Sequence, residues 1–210
     1  MSFQSYSIAA ISFLLTVLPL SAERLIIDDF DSYANSEQLQ RNWNSFGSAA
    51  SSGPANLEVD MGYANSNAVL FNLNWDAGNN ANMRMAKFPA DVKDLSRYLT
   101  VIVWLRILKE SGDFDEPSDS TTLRLAIQGG PDDSIWQTKA NYEVKIDFDD
   151  YKSAEFSLLD SEMERVSGKC SFNETLTNIN NIRLRFENEI EPQVRQDVYI
   201  DSILATTSTD

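Results

Sequence analysis

Apolar residues recur at every second position in short runs along most of the chain, which is the spacing of β-strands that bury one face. Clusters of Gly, Pro, Asn, Asp and Ser separate these runs, and such clusters favour turns. The alternation predicts about ten strands, at residues 24–30, 56–61, 68–75, 83–88, 99–108, 121–128, 142–148, 154–158, 182–186 and 198–205. The chain is therefore expected to be built mainly from short antiparallel strands.

Helical spacing is confined to two short segments. The first is residues 36–43, opened by Asn35 or Ser36 as the N-cap, and the second is residues 175–181. The sequence contains no internal repeat of a solenoid or propeller period and no linker that would divide it. We therefore predict an all-β fold, a two-sheet antiparallel β-sandwich of the jelly-roll type, in one domain spanning residues 23–210.

The N-terminus has the features of a targeting segment. The first 22 residues carry no charged side chain, and residues 8–20 form an apolar stretch. This stretch has about the length of a signal-peptide core and is short for a membrane span, which needs roughly 20 residues. Ser21 and Ala22 supply the small residues of a cleavage site. We expect residues 1–22 to be a signal peptide and the mature protein to be secreted or periplasmic, without a membrane anchor; an uncleaved N-terminal anchor is the alternative.

Composition excludes several classes of function. The sequence has no His and a single Cys, Cys170, so imidazole-based triads, an intrachain disulfide and multi-cysteine metal sites are all ruled out. The formal net charge is -15 at pH 7, which disfavours nonspecific binding to nucleic acid or to an anionic membrane surface. A hydrophobic content of 42% is sufficient for a packed core. Nucleic acid is therefore not an expected partner.

Several strings, in order along the chain, carry a family resemblance. They are Leu25 to Tyr33 (LIIDDFDSY) before a short helix ending at Trp43, AVLF at 68–71, DLSRYLTV at 94–101, INNIRLRF at 179–186 and VYIDSI at 198–203. Together they resemble the galactose-binding-like β-sandwich of carbohydrate-binding modules. The resemblance is to the family 11 modules in particular, and to the related domain of the mitochondrial complex I intermediate-associated protein. This resemblance implies a jelly-roll fold and a saccharide ligand, although a fold alone does not fix a function.

The resemblance also implies a structural calcium ion between the first and last strands. The residues of this sequence that match those places are Asp29, Asp31 and Asp201. Oxygen ligands of this kind suit calcium better than zinc. The alternative is that Asp29 and Asp31 are charges that protect an edge strand from aggregation.

Arginine placement is the feature that bears most directly on a ligand. Within the predicted strands, arginines alternate with apolar residues and so fall opposite the apolar face. The candidate ligand-binding residues selected in this way are Trp104, Arg84, Arg106, Arg124, Gln128, Arg183 and Arg185. If the four strands share a sheet, they form a cationic strip around Trp104, suited to a carboxylate or sulfate and to a sugar ring. Cross-strand ion pairing with Asp and Glu explains the same pattern equally well.

Three functions are consistent with these residues. The first is a secreted, non-catalytic carbohydrate-binding protein, whose ligand is a polysaccharide or oligosaccharide with uronic or sulfated groups. The second is a protein-interaction or assembly module on the same fold, which would have a protein partner. The third is a small polysaccharide lyase with a Tyr base and an Arg that neutralises a uronate. No catalytic residue is assigned, and calcium is the one expected cofactor.

Signal-peptide cleavage can be tested by mass. The exported protein is expected to begin near Glu23 and to have lost about 2 kDa, roughly the mass of 22 residues, because signal peptidase cuts after the small residues that end the apolar stretch. Intact-mass spectrometry of the secreted or periplasmic fraction checks this. Recovery of the full-length chain in the membrane fraction would support the uncleaved anchor instead.

Overall fold

The strands of the protein assemble into two antiparallel sheets that face each other. A computed structural model describes residues 22–48, 55–74, 80–85, 88–89, 92–109, 120–140, 142–145, 150–187 and 195–208. Its strands are β1 (Arg24–Asp28), β2 (Trp43–Phe46), β3 (Asn56–Glu58), β4 (Ala68–Asn74), β5 (Asn80–Met85), β6 (Thr100–Lys109), β7 (Ser120–Gly129), β8 (Ser134–Thr138), β9 (Tyr142–Lys145), β10 (Lys152–Ser157), β11 (Met163–Ser167), β12 (Ile179–Glu187) and β13 (Arg195–Thr206). Two helices, α1 (Ser36–Asn42) and α2 (Phe172–Leu176), complete the described secondary structure together with short 3₁₀ turns. The predicted signal peptide falls almost entirely outside the described residues.

Each sheet brings together strands that are distant in the sequence. Sheet A has the order β10-β6-β13-β4-β3, and β1 pairs with the C-terminal half of β13. Sheet B has the order β11-β8-β7-β12-β5-β2, and β9 pairs with the first residues of β7. All pairings among the described strands are antiparallel. The predicted two-sheet β-sandwich is confirmed.

The core lies between the sheets and follows the predicted alternation. In β6 the buried residues are Val101, Val103, Leu105 and Ile107, and in β12 they include Ile182, Leu184 and Phe186. Full burial of a large apolar side chain contributes about 1.5–3 kcal/mol each, so these inward faces hold the sandwich together. The residues between them, including the arginines, point to the outer faces of the sheets. No helix in the described ranges combines the length and apolar character needed to cross a bilayer.

Several predicted boundaries differ from the structure. The helical turn predicted at 175–181 is wrong, because α2 begins after Ser171, whose hydroxyl and Glu174 form a capping box, and strand β12 already begins at Ile179. Strands β2, β8 and β11 were not predicted. Strand β11 buries Met163 and leaves its other four residues exposed, so it carries almost no alternating signal. The ends of the strands predicted at 68–75 and 142–148 lie outside the described residues. The strand predicted at 83–88 is too long, because β5 ends at Met85 and Phe88, which is described, is not in a strand.

One buried carboxylate joins the two sheets. Asp28, in β1 of sheet A, accepts hydrogen bonds from the Trp43 Nε1–H (2.8 Å), the Tyr33 hydroxyl (2.7 Å) and the Phe30 backbone N–H (2.9 Å). Trp43 is the first residue of β2 in sheet B and is fully buried. Burial raises the pKa of Asp28, and the hydrogen bonds from Trp43, Tyr33 and Phe30 oppose that shift. The carboxylate therefore fixes where β2 enters sheet B.

Replacing this carboxylate tests its role. Asp28→Asn puts an NH₂ group among three hydrogen-bond donors, so at least one buried donor loses its acceptor. The free energy of unfolding is expected to fall by about 1–3 kcal/mol, the usual cost of a buried unsatisfied polar group. Urea unfolding at neutral pH measures it. Asp29→Asn is the matched control, since the Asp29 side chain accepts a bond from the exposed Asp31 N–H; equal losses in the two variants would contradict the role of Asp28.

Candidate functional site

The predicted ligand-binding residues are divided between the two sheets. Arg84 (β5), Arg124 and Gln128 (β7), and Arg183 and Arg185 (β12) lie on the outer face of sheet B. Trp104 and Arg106 lie on β6, which belongs to sheet A. The prediction of one cationic strip around Trp104 is therefore wrong, because its four strands do not share a sheet. Four of its arginines nevertheless share one face.

On sheet A, Trp104 and Arg106 belong to an aromatic cluster. The Tyr63 ring packs against Trp104 with centroids 5.6 Å apart, and the Arg106 guanidinium lies 5.1 Å from the Tyr151 ring centroid and 4.6 Å from that of Tyr199. We call residues 59–67, which run across this face, the strap. The Tyr151 hydroxyl donates a 2.7 Å hydrogen bond to the backbone carbonyl of Met61 in the strap. Arg106 is thus held between two aromatic rings and is removed from the arginines of sheet B.

Two arginine pairs form on the outer face of sheet B. Arg183 lies directly opposite Arg84 across the β12–β5 ladder, and Arg185 lies directly opposite Arg124 across the β12–β7 ladder. Arg183 and Arg185 are two residues apart on β12, so they point to the same side at a spacing of roughly 7 Å along the strand. Strand β12 thus contributes one arginine to each pair. We call these the Arg84–Arg183 pair and the Arg124–Arg185 pair.

The Arg124–Arg185 pair is neutralised from within the protein. Arg185 Nη2 lies 2.5 Å from Glu187 Oε1, and Arg124 Nε lies 3.5 Å from Glu187 Oε2. Arg124 Nη1 is also 3.4 Å from Glu164 Oε1. Cross-strand ion pairing, the alternative explanation of the arginine pattern, therefore accounts for this pair.

The Arg84–Arg183 pair has a different environment. Among the described residues neither guanidinium makes an ion pair, and the Nε atoms of both, like that of Arg185, are buried without a hydrogen-bond partner. Both lie over the ring of Phe46, with Cζ 5.5 Å (Arg84) and 5.1 Å (Arg183) from its centroid. Burial lowers the pKa of Arg183, and the charges of Arg84 and Arg185 lower it further. Two like charges thus face each other without a counter-ion among the residues that the structure describes, in a protein whose net charge is -15.

Polar and aromatic neighbours extend this face beyond the predicted residues. Asn44 lies opposite Arg84 in the β2–β5 ladder, and its buried Oδ1 has no hydrogen-bond partner among the described residues. Asn181 donates a 2.7 Å hydrogen bond to Gln128 Oε1, and Gln137 of β8 donates a 2.6 Å bond to Glu164. Phe46 is 39% exposed, so its ring is accessible to a ligand. Alternation from Trp43 would have placed Asn44 and Phe46 on this face, had residues 43–46 been recognised as a strand.

The three aspartates expected to bind calcium each accept hydrogen bonds from the protein. Asp201 accepts bonds from the Tyr63 N–H (2.8 Å) and the Ser66 hydroxyl in the strap, and Asp31 accepts one from the Asn67 N–H (2.8 Å). The part of the chain that the structure describes contains no group of three or more His, Cys, Asp or Glu that could hold a metal ion. Calcium binding by Asp29, Asp31 and Asp201 therefore stays a prediction.

Comparison with known proteins identifies the fold. No family model matches the sequence, and no curated protein matches it. Among solved structures, the family 11 carbohydrate-binding module from Clostridium thermocellum, in complex with a β-1,3-1,4-mixed-linked tetrasaccharide, has a TM-score of 0.54 at 14% identity and covers 87% of this chain and 94% of its own. A family 28 carbohydrate-binding module specific for non-crystalline cellulose has a TM-score of 0.54 at 14% identity, covering 86% of this chain and 93% of its own. An exo-β-agarase has a TM-score of 0.53 at 15% identity, covering 85% of this chain and 25% of its own.

The fold is therefore the β-sandwich of carbohydrate-binding modules, which also occurs as a domain of longer glycoside hydrolases. The predicted resemblance to the galactose-binding-like modules is confirmed at the level of fold. At these identities the comparison establishes the architecture, and the ligand must be argued from the residues of this chain.

The strap contacts give a test that separates a structural role of Asp201 from calcium binding. Asp201→Ala removes the acceptor for Tyr63 and Ser66, so the melting temperature is expected to fall by the same amount in calcium and in excess chelator. Differential scanning calorimetry under both conditions measures it. A larger loss in calcium than in chelator would instead identify Asp201 as a ligand, since a bound ion stabilises the folded state by mass action.

Proposed function

We propose that this chain is a secreted, non-catalytic carbohydrate-binding protein whose ligand lies across the outer face of sheet B. The fold supports a carbohydrate ligand, because similar structures include carbohydrate-binding modules, one of them in complex with a tetrasaccharide. A uronic or sulfated polysaccharide or oligosaccharide is the ligand class that the residues of this face favour.

The observation that carries the proposal is the Arg84–Arg183 pair over Phe46. Two guanidinium groups without a counter-ion repel each other, and an anion between them would relieve that repulsion. Arginine binds carboxylate and sulfate groups through two parallel N–H···O bonds, which fixes both position and orientation. A ligand with an acidic group therefore gains more at this pair than a neutral sugar does.

The surroundings of the pair suit the remainder of a sugar. Phe46 is 39% exposed although both guanidinium groups lie over its ring, and its exposed part offers an apolar surface against which the C–H face of a pyranose can pack. The side-chain amides of Asn44, Asn181 and Gln137 lie on the same outer face and can donate to and accept from hydroxyl groups. The face thus combines charged groups with an aromatic ring and several amides, which together can bind the acidic, apolar and hydroxyl parts of a saccharide.

The lyase alternative receives little support from the Tyr–Arg contacts of sheet A. A tyrosine base must lose its phenolic proton. Burial raises the pKa of Tyr151 despite the nearby charge of Arg106, and this shift disfavours loss of the phenolic proton. The protein-interaction alternative has one observation in its favour. The strap exposes Val59, Met61 and Tyr63 (63%, 38% and 57% exposed), which together could contact an apolar partner surface.

Neutralising either member of the pair is expected to weaken ligand binding. Arg84→Gln and Arg183→Gln each remove one charge-assisted interaction with the acidic group, so affinity for a uronic or sulfated oligosaccharide is expected to fall about tenfold or more. Folding should not suffer, because each change also removes a like-charge repulsion. Isothermal titration calorimetry with the best ligand from a glycan array measures the affinities.

Arg41→Gln is the matched control, since it removes an exposed arginine whose ion-pair partner, Glu37, lies on the same helix, α1. Unchanged affinity in Arg84→Gln and Arg183→Gln would contradict the assignment of the site. A product assay for unsaturated uronates and reducing ends, run beside the array, separates the alternatives. Product formation would favour the lyase, and the absence of any glycan binding would favour the protein-interaction module.

A further inference from the structure

Glu187 occupies the position that a ligand's acidic group would take at the second arginine pair. It is the last residue of β12, and its two carboxylate oxygens lie 2.5 Å from Arg185 Nη2 and 3.5 Å from Arg124 Nε. The Thr122 hydroxyl donates a 3.2 Å hydrogen bond to the Glu187 backbone carbonyl, which ties this end of β12 to β7. The carboxylate is half-buried and bridges the two guanidinium groups.

The two pairs are otherwise alike. Each consists of one β12 arginine and the arginine directly opposite it on a neighbouring strand, and both lie on the same outer face. They differ in their counter-ion, since Glu187 serves the Arg124–Arg185 pair and no described carboxylate serves the Arg84–Arg183 pair. A glutamate carboxylate has the same charge and geometry as the carboxylate of a uronic acid. The face therefore resembles a two-anion site in which one position is filled by the protein itself.

We propose that Glu187 is a specificity-determining residue: by neutralising the Arg124–Arg185 pair, it limits the ligand to one acidic group, which binds at the Arg84–Arg183 pair. This inference rests on the proposed function and deepens it, because it states how many acidic groups the saccharide presents to the face. A second sulfate or carboxylate on the ligand meets Glu187 and gains nothing. Removing the Glu187 charge converts the second pair into an anion subsite.

Glu164 has a secondary part in this arrangement. Its Oε1 is 3.4 Å from Arg124 Nη1 and also accepts a 2.6 Å hydrogen bond from the Gln137 amide. It comes from β11, at the edge of sheet B, and does not contact Arg185 in the described ion pairs. Glu187 is the residue that bridges both arginines, so it is the one to replace.

The experiment compares Glu187→Gln with the wild-type protein, using two oligosaccharides of equal length that carry one or two sulfate groups. The wild-type protein is expected to bind both with similar affinity. Glu187→Gln is expected to bind the doubly sulfated ligand about tenfold more tightly than the singly sulfated one, the effect of one added charge-assisted contact. A wild-type protein that already prefers two sulfates tenfold, or a Glu187→Gln variant with an unchanged affinity ratio, would overturn the proposal.

A second readout keeps the proposal independent of folding and of the sugar. If Glu187→Gln does not fold, the proposal is tested by the wild-type protein alone, through the ratio of its affinities for the doubly and singly sulfated ligands. If the wild-type protein binds no saccharide, the proposed function fails, and inorganic sulfate becomes the probe. The quantity compared is the difference in melting temperature between sodium sulfate and sodium chloride of equal ionic strength. This difference should be larger in Glu187→Gln than in the wild-type protein or in Glu37→Gln. Glu37 makes an ion pair of similar length with Arg41 on α1, at 2.6 Å, in a more exposed position. Equal differences in all three proteins would overturn the inference.

Discussion

The hydrogen bond from Trp43 to Asp28 is the contact on which the arrangement of the two sheets depends. It places the start of β2 in sheet B against a carboxylate in sheet A, inside the core. From Trp43 the strand continues with Asn44 and Phe46, which alternation directs to the outer face. Asp28 of sheet A therefore helps to position Phe46 of sheet B, which lies three residues after Trp43. The Phe46 ring in turn lies beneath the Arg84–Arg183 pair. The contact between Trp43 and Asp28 thus contributes both to the stability of the fold and to the geometry of the candidate site.

Strand β12 organises the outer face in a similar way. It is paired on both sides, so its arginines face one arginine on each neighbouring strand. In a protein with a net charge of -15, every arginine would be expected to pair with an acidic side chain. The arginines of the Arg124–Arg185 pair do so. The Arg84–Arg183 pair stacks on Phe46 instead, a contact that stabilises cations but does not cancel their charge. The resulting difference within one face is the physical basis of the proposed ligand site.

Much of this architecture could be predicted from the sequence, because alternation does not depend on which strands pair. The inward faces of β6, β7 and β12, and hence the outward position of their arginines, follow from period two alone. Sheet membership does not: β6 joins sheet A because it pairs with β13, nearly a hundred residues away, and no local pattern encodes that contact. Asp28 was missed for a related reason. An irregularity in the register between Ile26 and Asp28 breaks the alternation, so Ile27 and Asp28 are both buried.

The strap across sheet A gives the sandwich two unlike sides. Its contacts with Asp201 and Tyr151 cover part of the outer face of sheet A with backbone and aromatic rings. The described residues on the outer face of sheet B present long, hydrogen-bonding side chains instead. At physiological salt a charge is felt over about 8 Å. The acidic residues elsewhere on the protein would therefore repel a polyanion only weakly beyond that distance. Acidic ligands would then be distinguished only on direct contact with the outer face of sheet B. A ligand whose acidic group does not reach the guanidinium pair would dissociate quickly.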